Sequence, residues 1–369
     1  MGEKSMERFC IFCGNKPTDK TNEHVIPRWL MELTGDPKRD VFLGFSLGPE
    51  VRERRYSFDA FKFPACNTCN QNFSTLEAKV KHIIDKIRWT KSLTAEEINL
   101  LLNWFDKVRV GLWLAYYFLN KNIKGIQPKF FINQRVASFD RILCIYKVDD
   151  WISQGINFIG ADTLCFQGMP SCFSLRINDF YFFNVSKEFL ISKGAGFPYS
   201  TKKTFLVNGA LEYKLNRGTG RIKLPLLKKP IFSGGFEIYQ PIFTDKLLQP
   251  YSVDIGEMFE SEYAKSYSID YDNGLGPIII KKGNNIQVLK DLKDETVIIP
   301  DAFNSNDILN RRIVETTYNY QIHLIEQAIY STDFSLVDSD VKRRILKEME
   351  AEILYNKKML RFTKQYSLM

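Results

Sequence analysis

Two CxxC pairs constrain this chain more than any other feature of its sequence. The first pair is Cys10 and Cys13, and the second is Cys66 and Cys69. Each pair forms a tight knuckle that directs two thiolates at one point, and two knuckles supply the four-sulfur set of a structural zinc site. The intervening residues 14–65 exceed the spacing of about 15–20 residues in a minimal zinc ribbon. The sequence therefore predicts one structural zinc and an inserted structure between its ligand pairs.

The other three cysteines are scattered among apolar and aromatic neighbours. They are Cys144, Cys165 and Cys172, and they bring the total to seven. An odd number of cysteines in a reducing compartment favours metal ligands and core residues over disulfides, so we expect these three in the core. A thiol redox role for a CxxC pair is the weakest alternative, because it needs one reactive pair rather than two.

Composition and charge narrow the class of protein only moderately. The chain has 369 residues, of which 44% are hydrophobic and 25% charged, with a net charge of +8. This length fits two or three domains, and the basic surplus mildly favours an anionic partner. The polar start and the short apolar run 108–119 predict neither a secretory signal nor a membrane span. We therefore expect a cytoplasmic protein that does not enter a membrane.

Apolar periodicity predicts four long helices. Steps of three and four between apolar residues mark each of them, and Thr94 with Glu97 forms a capping box at the start of the second. The predicted ranges are 70–89, 94–120, 307–330 and 338–362. The apolar stripe of the last helix indicates core packing, with a dimer or partner helix as the alternative.

The middle of the chain is predicted to be an antiparallel sheet. Short runs rich in branched and aromatic residues alternate with Gly, Asn, Asp and Pro. These runs are 142–148, 173–177, 180–185, 205–208, 276–281 and 296–299. The predicted fold class is α+β, with an N-terminal zinc-bearing module at 1–90. A larger mixed domain follows at 91–369, with a β-rich part and a C-terminal helical part from about 307.

An acidic residue and a histidine stand together between the cysteine pairs. The segment reads Thr21-Asn22-Glu23-His24-Val25-Ile26-Pro27, and the second cysteine pair is followed directly by Asn70. This combination resembles the HNH endonucleases of the His-Me finger superfamily, in a four-cysteine variant with EHVIP and CNxCN motifs. The resemblance covers roughly residues 10–85. It implies a β-hairpin and a helix around one catalytic metal, the ββα-metal module.

The resemblance also implies a role for each motif residue. His24 would be the general base that deprotonates water, which suits a neutral imidazole near pH 7. Glu23 and Asn70 would hold a catalytic Mg²⁺ or Mn²⁺, because hard cations prefer oxygen ligands. Neighbours on a strand point to opposite faces, so Glu23 and His24 share a site only if the hairpin curls.

Several positions around the motif remain open. Asn72 and Glu77 compete with Asn70 near the start of the helix, and Asn70 is favoured by its place directly after the CxxC. The family's middle asparagine is missing from 56–64, where Asp59 is the nearest polar substitute. Outside the motif, His82 is interpreted as a solvated or packing histidine and His323 as a structural one.

The basic residues between the cysteine pairs allow two interpretations. They are Lys38, Arg39, Arg52, Arg54 and Arg55, and acidic residues are interleaved with them. Such side chains can contact phosphates or form a solvated hairpin face.

The function expected from the resemblance is a metal-dependent HNH endonuclease. The substrate would be DNA, with RNA as the alternative, and the context bacterial phage defence or restriction, by analogy. Residues 91–369 would supply specificity, sensing or assembly, either as a homo-oligomer or with an activating partner at the C-terminal region. The competing hypothesis is a non-catalytic zinc-binding module that recognises nucleic acid or protein. Glu23 and His24 favour the nuclease, because a purely structural ribbon needs neither.

Overall fold

The structure is a computed structural model, and it describes residues 9–43, 54–57, 61–119, 127–149, 154–243 and 261–366. Helices and antiparallel strands are mixed along the chain, which confirms the expected α+β class. Asp59 and Arg52 lie outside the described residues.

The N-terminal region contains two short strand pairs and a long helix. Its elements are β1 (Thr21–His24), α1 (Arg28–Leu33), β2 (Asp40–Leu43), β3 (Arg54–Ser57), β4 (Lys62–Ala65) and α2 (Asn67–Arg88). Strand β1 pairs antiparallel with β4, and β2 pairs antiparallel with β3. The predicted helix 70–89 is confirmed, and it begins earlier because Cys66, in an extended conformation, is its N-cap.

Next along the chain come β5 (Ser92–Thr94) and the helix α3 (Ala95–Phe118). The side chain of Thr94 accepts from the N–H of Glu97, and the Glu97 side chain accepts from the N–H of Thr94. The predicted capping box is therefore confirmed, and the helix begins directly after its N-cap, Thr94. Strand β5 pairs with β15 (Glu295–Val297) far along the chain.

A large, mostly antiparallel sheet forms the centre of the chain. Its path runs through β14 (Asn285–Leu289), β13 (Ile278–Lys282), β12 (Phe236–Gln240), β6 (Asp140–Val148), β9 (Phe180–Lys187), β8 (Cys172–Ile177) and β7 (Ile156–Ile159). The short strand β16 (Ala302–Phe303) adds to β6 in parallel. The predicted antiparallel region is confirmed for the runs 142–148, 173–177, 180–185 and 276–281, and 296–299 overlaps β15.

Smaller elements surround this sheet. They are α4 (Ile132–Arg135), α5 (Leu164–Gly168), α6 (Ser192–Ala195), β10 (Tyr199–Phe205), β11 (Leu211–Asn216), α7 (Ser261–Tyr267) and β17 (Thr332–Asp333). The predicted strand 205–208 was wrong, because the strand ends at Phe205 and the N–H of Gly209 donates to the carbonyl of Leu206 in a turn. The positive φ of Gly209 closes that turn.

Two long helices end the described chain. Helix α8 spans Asn306–Ser331 and α9 spans Ser339–Tyr366, so both predicted C-terminal helices are confirmed. The stripe on α9 is only partly core, since Leu354 is 66% exposed. Polar groups share its buried face, where Asn356 donates to Gln321 at 2.8 Å.

The central sheet separates two hydrophobic cores. In β6, Leu143 and Ile145 belong to a core shared with α3 and the N-terminal region. Ile142 and Cys144 belong to a second core shared with α8. Cys144, Cys165 and Cys172 are buried, as expected for core residues. The first core contains residues from the range 10–87, from α3 and from the sheet. The domain boundary expected near residue 90 stays a prediction.

Helix α3 packs directly on the EHVIP segment. A Cβ atom at Gly111 would lie 2.8 Å from Cγ1 of Val25. Only glycine therefore permits this close approach, and it brings the polar residues of α3 behind β1.

Candidate metal centre and active site

The first cysteine pair lies in a tight backbone turn. The N–H of Gly14 donates to the carbonyl of Cys10, and the N–H of Cys10 donates to the carbonyl of Asn15, both at 2.8 Å. Gly14 has a φ of 80°, and a Cβ atom there would collide with the ring of Phe131. Glycine is thus required twice over, by the backbone conformation and by the close packing.

The second pair lies at the start of α2 and faces the first. The backbone N–H of Cys66 donates to Sγ of Cys10 at 3.3 Å, and Sγ of Cys13 lies 3.9 Å from Sγ of Cys66. All four sulfur atoms lie within 4.8 Å of one another. A tetrahedral zinc with Zn–S bonds of about 2.3 Å separates its sulfurs by about 3.8 Å. The cluster can therefore hold a metal ion such as zinc.

The electrostatics of the cluster disfavour a free thiolate at Cys69. Burial, together with the charges of Cys10 and Cys13, raises the pKa of the Cys69 thiol to about 12. A divalent cation among the four sulfurs would offset this repulsion and stabilise the thiolates.

The Glu23–His24 pair lies on β1 and contacts Lys107 of α3. Glu23 lies opposite Phe63 of β4, and His24 lies opposite Lys62. Glu23 is buried, whereas His24 is half-buried and its backbone carbonyl accepts from Lys107 at 3.3 Å. Helix α2 follows β4 directly in the chain, and Asn70 in its first turn contacts Thr21 of β1.

Glu23 is part of a buried ion cluster that the sequence did not reveal. Nζ of Lys107 lies 2.7 Å from Oε1 of Glu23 and also contacts Oε1 of Glu77. The Lys107 side chain is fully buried on α3. A lysine in a helix that is apolar on most sides was the available signal, but its partners are distant in sequence.

One ammonium group cannot neutralise two carboxylates, and the pKa values reflect this. Burial pushes the pKa of Lys107 down, but Glu77 and Glu23 outweigh it and raise that pKa. Burial and the charge of Glu23 raise the pKa of Glu77 to about 7, against the attraction of Lys107. Lys107 therefore stays charged, and Glu77 carries a proton in part of the population near neutral pH.

The asparagine and glutamate candidates on α2 are placed differently. Nδ2 of Asn70 donates to Oγ1 of Thr21 on β1 at 3.1 Å. Glu77 belongs to the Lys107 cluster, and Asn72 is exposed. The structure thus brings Asn70 to the strand that carries Glu23. Among the described residues, no second cluster of three histidine, cysteine or carboxylate groups is placed to hold a metal.

A second buried ion network attaches α3 to the sheet. Asp106 pairs with Arg109 at 2.7 Å and with Arg141 of β6 at 3.3 Å. Arg109 also donates to Asn184 of β9 at 2.6 Å. These contacts fix the helix that carries Lys107 relative to β6 and β9.

The remaining histidines and basic residues lie apart from this cluster. His82 is exposed on α2, and the ring of His323 on α8 lies 5.9 Å from the ring of Tyr320. Lys38 is exposed, and the guanidinium of Arg39 donates to Oγ1 of Thr34 at 2.6 Å. Arg54 and Arg55 lie on β3.

Comparison with protein-family models, with curated proteins and with solved structures finds no match to this chain. Of the helices in the described ranges, none has the length and apolarity that crossing a membrane requires.

Proposed function

We propose that this chain is a metal-dependent endonuclease of the HNH class that hydrolyses phosphodiester bonds in DNA. The observation that carries the proposal is the placement of the Glu23–His24 strand. This strand pairs with β4, and the first turn of α2 meets it through the bond between Asn70 and Thr21. The cysteine cluster links both ends of that arrangement.

In this proposal the cluster holds a structural zinc, and Glu23 and Asn70 hold a catalytic Mg²⁺ or Mn²⁺. His24 would accept a proton from water, and a cation bound by Glu23 and Asn70 would supply charge stabilisation for the leaving oxygen. Lys107 donates to Oε1 of Glu23, and Oε2 has no hydrogen-bond partner among the described residues. That oxygen supports the proposal, because a carboxylate can accept from a lysine and still ligate a metal through its other oxygen.

The proposed substrate and setting rest on the net charge and on the sequence resemblance. A net charge of +8 suits a polyanionic substrate. Action in bacterial phage defence or restriction, a cytoplasmic location, and assembly through the C-terminal helices are proposals from the sequence resemblance. RNA stays the alternative substrate.

Plasmid cleavage with Mg²⁺ or Mn²⁺ tests the nuclease directly. The His24→Ala variant should lose about 10²–10⁴-fold in rate, the usual effect of removing a general base. His82→Ala is the matched control, because it removes an exposed histidine from α2. Equal cutting by His24→Ala and wild type would rule out His24 as the base.

The asparagine assignment has its own matched pair. Asn70→Ala should weaken cleavage and raise the Mg²⁺ concentration needed for half-maximal rate, whereas Asn72→Ala should change neither. A larger effect of Asn72→Ala would move the metal ligand to that position. Parallel assays with single-stranded RNA separate the two substrates.

A non-catalytic zinc-binding module is the second candidate function. The burial of Glu23 and its pairing with Lys107 favour it, because a purely structural ion cluster needs no catalytic metal. This candidate predicts that the purified chain binds nucleic acid or a protein, contains one zinc, and cuts neither DNA nor RNA with any divalent metal. Mobility-shift assays with the His24→Ala variant would then show unchanged binding.

A further inference from the structure

A lysine-lined cavity lies on the far side of the central sheet from the cysteine cluster. It has a volume of about 560 Å³ and is bounded by the end of β9, by α6, by the β10–β11 hairpin and by the second half of α8. Seven lysines and one carboxylate, that of Glu188, line it. This volume falls in the range of about 300–1,000 Å³ for small-molecule sites.

Lys187 lines this cavity and carries a buried charge with few hydrogen-bond acceptors. It is 7% exposed, and its ammonium group donates to the carbonyl of Leu324 at 3.0 Å. Within the described part of the chain that is its single acceptor, although an ammonium carries three N–H donors. Burial lowers the pKa of Lys187 to about 8, against the attraction of Glu188. An anion in the cavity would satisfy the remaining donors.

The single carboxylate of the cavity is already engaged. Oε1 of Glu188 lies 3.2 Å from Nζ of Lys203. Burial pushes the pKa of Glu188 up, but the charges of Lys203 and Lys187 outweigh it and hold that pKa at about 2. Glu188 is therefore ionised but neutralises only part of the lysine charge, and the cavity keeps a strong positive potential.

Aromatic side chains also line this cavity, and two of them contact its lysines. The ammonium of Lys193 lies 5.1 Å from the ring centre of Tyr199, and that of Lys229 lies 6.0 Å from the ring centre of Tyr320. These cation–π contacts restrain the lysines without neutralising them. Tyr330 lies at the edge of the cavity and is 88% exposed, so its ring face is open to a planar partner.

We propose that this cavity binds a nucleotide, with the phosphates among the lysines and the base stacked on Tyr330. The buried lysine donor and the uncompensated positive charge suit phosphate oxygens. Exposed aromatic rings stack bases regardless of their identity. A nucleic-acid strand is the less favoured occupant, because the buried ammonium of Lys187 faces a cavity of small-molecule size rather than an open groove.

The site is independent of the proposed nuclease activity, because none of its residues lies in the N-terminal region. A binding measurement therefore succeeds or fails without any cleavage. Isothermal titration of the full chain with ATP, with inorganic triphosphate and with adenosine separates the contributions of phosphate and base.

Charge reversal at the cavity gives the decisive comparison. Lys202→Glu combined with Lys228→Glu changes two exposed cavity lysines. The control, Lys293→Glu combined with Lys358→Glu, makes the same charge change at exposed positions elsewhere. The cavity variant should bind ATP at least about tenfold more weakly, as expected for lost charge-assisted contacts, and the control less than about twofold.

Tyr330→Ala tests the stacking. It should weaken ATP about tenfold and leave inorganic triphosphate unchanged. Equal effects of the cavity and control variants, or no ATP binding at millimolar concentration, would overturn the proposal. Tight binding of a single-stranded oligonucleotide that the cavity variant weakens, without ATP binding, would assign the cavity to a nucleic-acid backbone and overturn it as well.

Discussion

In the described part of the chain one buried lysine lies on each side of the central sheet, and the surroundings of the two differ. Lys107, beside the cysteine cluster, is fully buried between two carboxylates. Lys187, beside the cavity, is 7% exposed and has one carbonyl acceptor among the described residues. Isolated charges are costly to bury, so the compensated lysine fits a structural or positioning role. Lys187, which lacks a directly bonded carboxylate within the described ranges, fits a ligand site.

The cysteine thiols, on the same side of the sheet as Lys107, also form a cluster of groups that carry negative charge when ionised. The four sulfurs lie within 4.8 Å of one another. As thiolates they would need a cation among them, just as the Glu23 and Glu77 carboxylates share the ammonium of Lys107. On this side of the sheet the counter-charge is Lys107 and would include the proposed metal, and on the far side it would come from a ligand.

Removing the proposed metal should give the largest effect. Cys66→Ala should lower the zinc content from one per chain to nearly none, because structural zinc is normally held by four ligands. The effect is expected to be large because binding of structural zinc contributes about 10–16 kcal/mol in zinc-finger peptides. Amide exchange in β1 and β4 should accelerate. Cys144→Ala, in the sheet core, should leave zinc content unchanged. Full zinc retention in Cys66→Ala would exclude this residue as a ligand.

Removing the compensated lysine should come next. Lys107→Met leaves two carboxylates buried without their cation, which typically costs about 3–5 kcal/mol of unfolding free energy. Urea denaturation measures the loss, and Lys81→Met, at an exposed position on α2, should change stability by less than about 0.5 kcal/mol. A loss below about 1 kcal/mol in Lys107→Met would mean that the carboxylates do not depend on it.

The same cluster should make stability depend on pH. The folded pKa of Glu77, about 7, lies above its ordinary value of 4.5. The folded chain therefore binds more protons than the unfolded chain between these values, and stability falls as pH rises through 7. The fall attributable to Glu77 should be about 1–3 kcal/mol between pH 5 and 8. Glu77→Gln should flatten this part of the profile, whereas Glu96→Gln, an exposed change on α3, should preserve it.

Replacing Lys187 should have the smallest effect on stability. Lys187→Met loses one hydrogen bond to a carbonyl but no longer buries a charge, so stability should change by about 1 kcal/mol or less. Measuring it beside Lys107→Met in the same urea titrations tests the contrast between the two lysines. A loss as large as that of Lys107→Met would remove the contrast and show that Lys187 is structural.

Local features made much of the fold predictable. The Thr94 capping box fixed the start of α3, and apolar periodicity placed α2, α8 and α9 within a few residues. The prediction of a strand at 205–208 was wrong, because its apolar residues lead into a turn that Gly209 closes. Residue preferences alone do not distinguish the end of a strand from its middle.

The sequence by itself determined the four-cysteine cluster and the neighbouring Glu23–His24 pair, because knuckle spacing and motif order are local properties. The assignment of catalytic roles to His24, Glu23 and Asn70 stays a prediction. Only the tertiary structure decided that Lys107 lies behind Glu23 and that Lys187 borders a cationic cavity. Both depend on contacts between segments far apart in the chain, and burial and charge compensation arise only when those segments pack together.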